Sequence, residues 1–205
     1  MGKEDWPLVN QMELNLPVTD TFAPTMNTIM KYILTSLVII AAGLILAGCN
    51  HPSPETYFDL TVLNTNVLVG FADNGMEREL ESPSLQMVKN TEAPVPMKRM
   101  EIINSKIEFA ETNLARIEKL GASGDTKEMI TASRNLWQFI ISVYKNEYTQ
   151  LAKLYDTNAD KDQITSLLAT IHEKYYSKYD ELTKTLIAHG KIYAADHKIK
   201  VNWGL

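Results

Sequence analysis

The sequence predicts an all-α fold, an antiparallel, up-and-down helical bundle of three to four long helices. Three observations predict it. Apolar residues recur three and four positions apart along 100–117, 130–155 and 164–193, the spacing that lines one face of a helix. The segments joining these stretches are turns of about five residues, which leave successive helices room only to run antiparallel. Each stripe is too apolar to face water, so three or four of them must share one core.

Ahead of the bundle, Tyr32 to Gly48 reads YILTSLVIIAAGLILAG, 17 residues without a charge, with Lys31 just in front. A short basic flank, an apolar core and small residues at the end are the organisation of a secretory signal peptide. A permanent transmembrane helix needs about 20 apolar residues, so the run is marginal as a span. The competing reading is an N-terminal anchor helix that is never cut. A buried core helix is disfavoured, because no polar residue gives the run an outer face. The run ends in Leu46-Ala47-Gly48-Cys49, and Cys49 is the single cysteine of the chain.

These four residues resemble the lipobox of bacterial lipoproteins, a resemblance that covers about residues 26–50. It implies that Cys49 takes a diacylglycerol thioether, that a dedicated signal peptidase cuts between Gly48 and Cys49, and that the new amine is acylated. The chemistry suits the residues: Ala47 and Gly48 leave the backbone open to a protease, Leu46 fills a pocket, and the thiol is the good nucleophile. The stretch before Met26 departs from the pattern, since Lys3 stands against Glu4, Asp5, Glu13 and Asp20, an acidic balance unlike a basic leader. The expected division is therefore a mis-set start or non-native leader at 1–25, a signal peptide at 26–48, the lipidated cysteine and a short tether at 49–56, and the bundle at 57–205. In enteric members of the family an Asp after the cysteine favours retention at the inner membrane. Asn50 stands there instead, so the resemblance implies the periplasmic face of the outer membrane ahead of the inner membrane.

Cutting before Cys49 leaves 157 of the 205 residues, about one domain and enough chain to bury a core. The discarded part holds two of the 20 basic and four of the 25 acidic residues, which leaves 18 against 21 and a net charge of −3. Such a balance, without a basic cluster interleaved with aromatics, argues against nucleic acid as a partner. With Cys49 lipidated no disulfide can form, and packing alone must hold the domain.

The first helix is expected over about 54–74, with Ser53 as N-cap, Pro54 at the first helical position, and Leu60, Leu63, Val67 and Phe71 on one face. Its β-branched residues, Thr61, Val62, Thr65, Val67 and Val69, favour strands and weaken the assignment. Asn74-Gly75 should end it. Residues 76–96 read as an irregular crossover: MERELES supports a turn or two of helix, and Pro83, Pro94 and Pro96 prevent its continuation. The second helix carries Met100, Ile103, Ile107, Ala110, Leu114 and Ile117. After the turn at 120–124, Asp125 and Glu128 read as a capping box. The third helix then runs to about Asp156, with Ile130, Leu136, Trp137, Ile140, Tyr144, Tyr148, Leu151 and Tyr155 inward. The fourth, after a turn at 157–160, carries Ile164, Leu168, Ile171, Tyr175, Tyr179, Leu182, Leu186, His189 and Tyr193. Its eight steps span 29 residues, the repeat of a straight helix. Gly190 should kink or end it.

The chemical motifs of common bundle enzymes are missing. No Glu has a His three residues on, which excludes the paired di-iron motif. One cysteine cannot make the covalent haem motif, and the glycine-rich phosphate loops and His-Glu-x-x-His are absent. Gly121-Ala122-Ser123-Gly124 is one residue short of a nucleophile elbow and sits in a turn. No catalytic residue, metal site or cofactor is assigned.

Three constellations remain. His189 shares a face with Leu186 and Tyr193, with His197 eight residues on; the pair either binds a metal or senses pH, or is a bundle-end histidine bonded to a carbonyl or water. Tyr144, Tyr148, Tyr175 and Tyr179, with Tyr155, Tyr176 and Tyr193, either line a ligand pocket between the third and fourth helices or pack their rings inside with hydroxyls at the wet edge. The tail 197–203 either touches lipid or docks on the bundle. The acidic crossover, with Glu77, Glu79, Glu81 and Glu92, suits a basic partner or a cation, or is simply solvated. The expected protein is a non-catalytic, membrane-anchored envelope lipoprotein that binds another envelope protein or acts as a structural or accessory component. The alternative is a ligand-binding or enzymatic bundle whose ligand-facing residues are His189, Tyr144, Tyr148, Tyr175 and Tyr179.

Overall fold

A computed structural model describes residues 52–89, 92–122 and 124–203, which belong to one compact unit. The leader, the apolar run and Cys49 lie outside the described residues.

Ser53 caps the first helix, α1 (Pro54–Thr61), with its Oγ accepting from the Thr56 amide at 3.3 Å and Pro54 in the first turn. The chain then departs from the expected long helix. α1 stops at Thr61, a 3₁₀ turn continues over Leu63–Leu68, and the loop reverses through Gly70 and Ala72, both at positive φ. The β-branched run that weakens the assignment is where the helix breaks. The inward set is Phe58, Val62, Leu68 and Phe71, while Leu63 and Val67 are exposed. Asn74-Gly75 begins the next helix, α2 (Asn74–Glu81), rather than ending the first. Gly75 is needed there because an added Cβ would meet the Gly70 Cα at 2.7 Å.

The crossover keeps that two-turn helix and adds a short antiparallel bridge, β1 (Leu85–Gln86) with β2 (Val95–Pro96). Three longer segments come next: α3 (Arg99–Glu118), α4 (Lys127–Val143) continued through a π-turn (Tyr144–Tyr148) into α5 (Thr149–Asp156), and α6 (Lys161–Asp196). Cross-links fix their directions. Glu111 on α3 pairs with Lys145, and the start of α3 meets Asp156 at the far end of α5. Glu147 meets Tyr175, while Asp125 before α4 meets His197 after α6. Rising numbers on one helix meet falling numbers on the next, so the neighbours are antiparallel. The protein is an all-α helical bundle. Among the described residues no helix is long and apolar enough to cross a membrane.

The core lies along the expected stripes. Ile103, Ala110, Ile117, Ile130, Leu136, Trp137, Ile140, Leu151 and Leu186 are fully buried. The steps Ile140, Tyr144 and Tyr148 are each four long, and the wider π-turn accommodates them; Thr149 Oγ1 donates to the Tyr144 carbonyl at 2.9 Å. Two corrections concern helix ends. Asp125 lies in a 3₁₀ turn (Gly124–Thr126) and bonds to His197 Nε2 at 2.6 Å instead of capping α4, which starts at Lys127. Gly190 does not end α6. It is buried against α1, and an added Cβ would lie 3.0 Å from Val62 Cγ2. The tail beyond α6 docks through Ile199, Val201 and Trp203, with the Trp203 ring edge-on to Phe58 at 5.8 Å.

Candidate functional site

The tyrosines gather around one side chain from the loop after the 3₁₀ turn. Phe71 has ring-centre distances of 5.4 Å to Tyr144, 5.6 Å to Tyr148 and 5.2 Å to Tyr179, and Phe139 links it to Tyr175 at 6.0 Å. The π-turn after α4 supplies Tyr144 and Tyr148, and α6 supplies Tyr175 and Tyr179. The space between the third and fourth predicted helices is therefore filled by Phe71 rather than left open. Tilted and edge-to-face ring contacts of this kind add stability beyond the burial of area.

The hydroxyls hold the same loop. Tyr148 Oη accepts from the Ala72 amide at 3.0 Å, and Tyr179 Oη donates to the Leu68 carbonyl at 2.8 Å. The His172 ring adds a bond from Nδ1 to the Ala72 carbonyl at 2.9 Å and stacks on Tyr176. Tyr175 Oη donates to Glu147, which also meets Lys174 at 3.5 Å. Burial pushes the Tyr144 and Tyr148 hydroxyls well above the ordinary tyrosine range, so both stay protonated. Tyr155, with the Arg99 guanidinium 5.8 Å over its ring, is raised by burial to about 12.

His189 does not join this cluster. It is half-buried on α6, and His197 is engaged with Asp125 and packs on Tyr193 at 4.3 Å. Among the described residues no group of three or more His, Cys, Asp or Glu is placed to hold a metal ion. Cys49 and Gly48 lie outside the described residues.

Two cavities flank the aromatic cluster. One, about 290 Å³, is lined by Asp73, Glu77, Tyr148, Thr165 and His172 on the α2–α6 side. The other, about 310 Å³, lies between the 3₁₀ turn, the foot of the bridge, α3 and α4. Its floor is Leu68, Ile102, Trp137 and Tyr144, all buried, and Phe109 and Val67 stand exposed at its mouth. Lys106 and Glu79, 2.9 Å apart, form an ion pair on its wall. Of the five residues expected to face a ligand, Tyr144 lines this cavity and Tyr148 the other, while Tyr175, Tyr179 and His189 line neither. Trp137 is recognisable as an inward residue from its place on the third stripe. Lys106, Ser105 and Glu79 carry no such signal, because helix periodicity marks the buried face and not a cavity wall.

Comparison with protein families, with curated proteins and with solved structures finds no match to this chain.

Proposed function

We propose that the chain is a cell-envelope lipoprotein, anchored through acylated Cys49, whose helical bundle is a non-catalytic module that engages another envelope protein or serves as a structural or accessory component. The observation that carries this reading is Leu46-Ala47-Gly48-Cys49 at the end of a charge-free run. The Ser53-capped helix begins a few positions later, so the folded domain would sit close to the lipid surface. One acyl chain binds a membrane only marginally, and two or more give stable attachment; lipoprotein acylation supplies that number. Asn50 favours the periplasmic face of the outer membrane. Radiolabelled palmitate tests the anchor. Wild type should incorporate label and Cys49→Ser should not, while circular dichroism shows the same helical domain in both. Equal labelling of the two, or none in either, would contradict the reading.

A further inference from the structure

Exposed apolar side chains are not spread evenly over the bundle. Among the described residues nine large ones stand exposed, and seven of them come from the 3₁₀ turn and the loop after it, the β1 segment and α3. The other two, Tyr176 and Ile192, are on α6. Single exposed apolar residues are ordinary, whereas a contiguous group marks a surface that something else covers. Here the group is contiguous. Val67 and Phe109 share the mouth of the cavity beside α3 with Ser84 and Met97, and Leu85 follows Ser84. Val69 and Met87 continue the two segments outward at 80% and 68% exposure.

Charge, residue type and the tether together point to what covers this face. Residues 60–71 carry no charge, and neither do residues 82–88. Glu79 and Lys106 on the cavity wall are paired at 2.9 Å, so hydrocarbon laid over the face strands no lone charge there. Apart from Phe109 the exposed side chains are Val, Leu and Met, whereas Trp, Tyr and Arg are the usual anchors of a protein partner. Pro54 opens α1 five residues after Cys49, and a chain of five residues reaches at most about 17 Å. On so short a tether, an acylated chain holds the domain beside an apolar phase.

We propose that this face docks on the membrane, with the 3₁₀ turn, the β1 segment and Phe109 dipping into the lipid interface, so that the bundle lies along the surface. The docking rests on the acylated anchor at Cys49. It leaves α6, which packs against α4 and α5 on the side away from α3, turned toward water and open to a partner.

The test uses the full chain expressed with its leader and reconstituted into phosphatidylcholine vesicles. With Cys49 acylated, an introduced cysteine is the single free thiol and takes a nitrobenzoxadiazole label. Val69→Cys and Met87→Cys report on the face. Ser177→Cys is the control, exposed on α6 two positions from both Tyr175 and Tyr179 and therefore on the outer side of that helix. Apolar side chains of an interfacial segment sit about 5–10 Å into the headgroup boundary, so nitroxide-labelled lipid should dim the labels at 69 and 87 about two-fold or more and spare the one at 177. A chain that floats with the vesicles while all three labels stay open to an aqueous quencher would overturn the docking and leave the anchor standing. Labels at 69 and 87 shielded from water but untouched by the nitroxide would also overturn it, since another protein or a second copy would then cover the face. A chain that does not float with the vesicles would overturn the anchor and the docking together.

Discussion

Phe71 and the tyrosines around it divide the work between rings and hydroxyls. The rings fill the space between α4 and α6, and two hydroxyls fix the backbone of the loop that delivers Phe71. Removing a hydroxyl should therefore cost according to what it holds. Tyr148→Phe leaves the buried Ala72 amide without its acceptor and should destabilise the domain by about 1–3 kcal/mol. Tyr144→Phe loses only a contact to a thioether and should cost well under about 1 kcal/mol. The hydroxyls also make stability depend on pH. Both pKa values are raised by burial above the ordinary value near 10, so the folded state holds these protons more tightly than the unfolded chain. Their contribution is intact below about pH 10 and is lost as the pH climbs from there toward the native values. Urea midpoints at about pH 8 and pH 11 should show wild type losing stability, and Tyr144→Phe losing less of it. A Tyr144→Phe variant that falls as steeply as wild type would contradict this. The tyrosines themselves are readable as inward positions from their spacing. That they close on Phe71, and that the Trp137 indole has no acceptor among the described residues, depends on other elements, which spacing along one helix does not carry.

At the level of elements, α3, α4–α5 and α6 are legible in the sequence because each keeps an apolar repeat near 3.6 over many turns, and burial rewards the helix that repeat describes. The segment from 54 to 74 is not. Its apolar residues fit more than one register, its β-branched side chains resist a helix, and the chain breaks into α1, a 3₁₀ turn and a loop whose close approach rests on Gly70 and Gly75. Helix ends also escape a local reading where a distant group takes the cap. Asp156, at the end of α5, accepts from the Arg99 and Met100 amides at 2.9 and 3.0 Å and so satisfies the start of α3. Residue type alone marks Gly190 as a kink or stop, whereas its place on α6 is set by contact with α1. In an open helix, Gly→Ala gains about 1 kcal/mol. At Gly190 the new methyl would press on Val62, 3.0 Å away, and that gain should be cancelled or reversed. In a Val62→Ala background the methyl has room, and Gly190→Ala should stabilise by about 0.5–1 kcal/mol relative to Val62→Ala alone. Chemical denaturation of the four proteins reads this directly; strictly additive effects would mean that the two positions do not press on each other.

For the whole molecule, the proposed arrangement is a folded bundle on a lipid anchor. The bundle is a single unit held by packing, with its tail docked on α1 through Trp203. The anchor rests on four residues of sequence, and its physical logic is that each buried CH₂ contributes about 0.8 kcal/mol to membrane attachment, so that a few acyl chains hold a domain this size at a surface. A local chemical pattern points to the anchor, and periodicity to the bundle; neither names the partner, because a partner surface has no fixed spacing to read. The most direct measurement is the intact mass of the protein extracted from its native membrane. The expected species is a chain beginning at Cys49, heavier than the bare polypeptide by its acyl groups, and a mature protein that still carries Lys31 would contradict it.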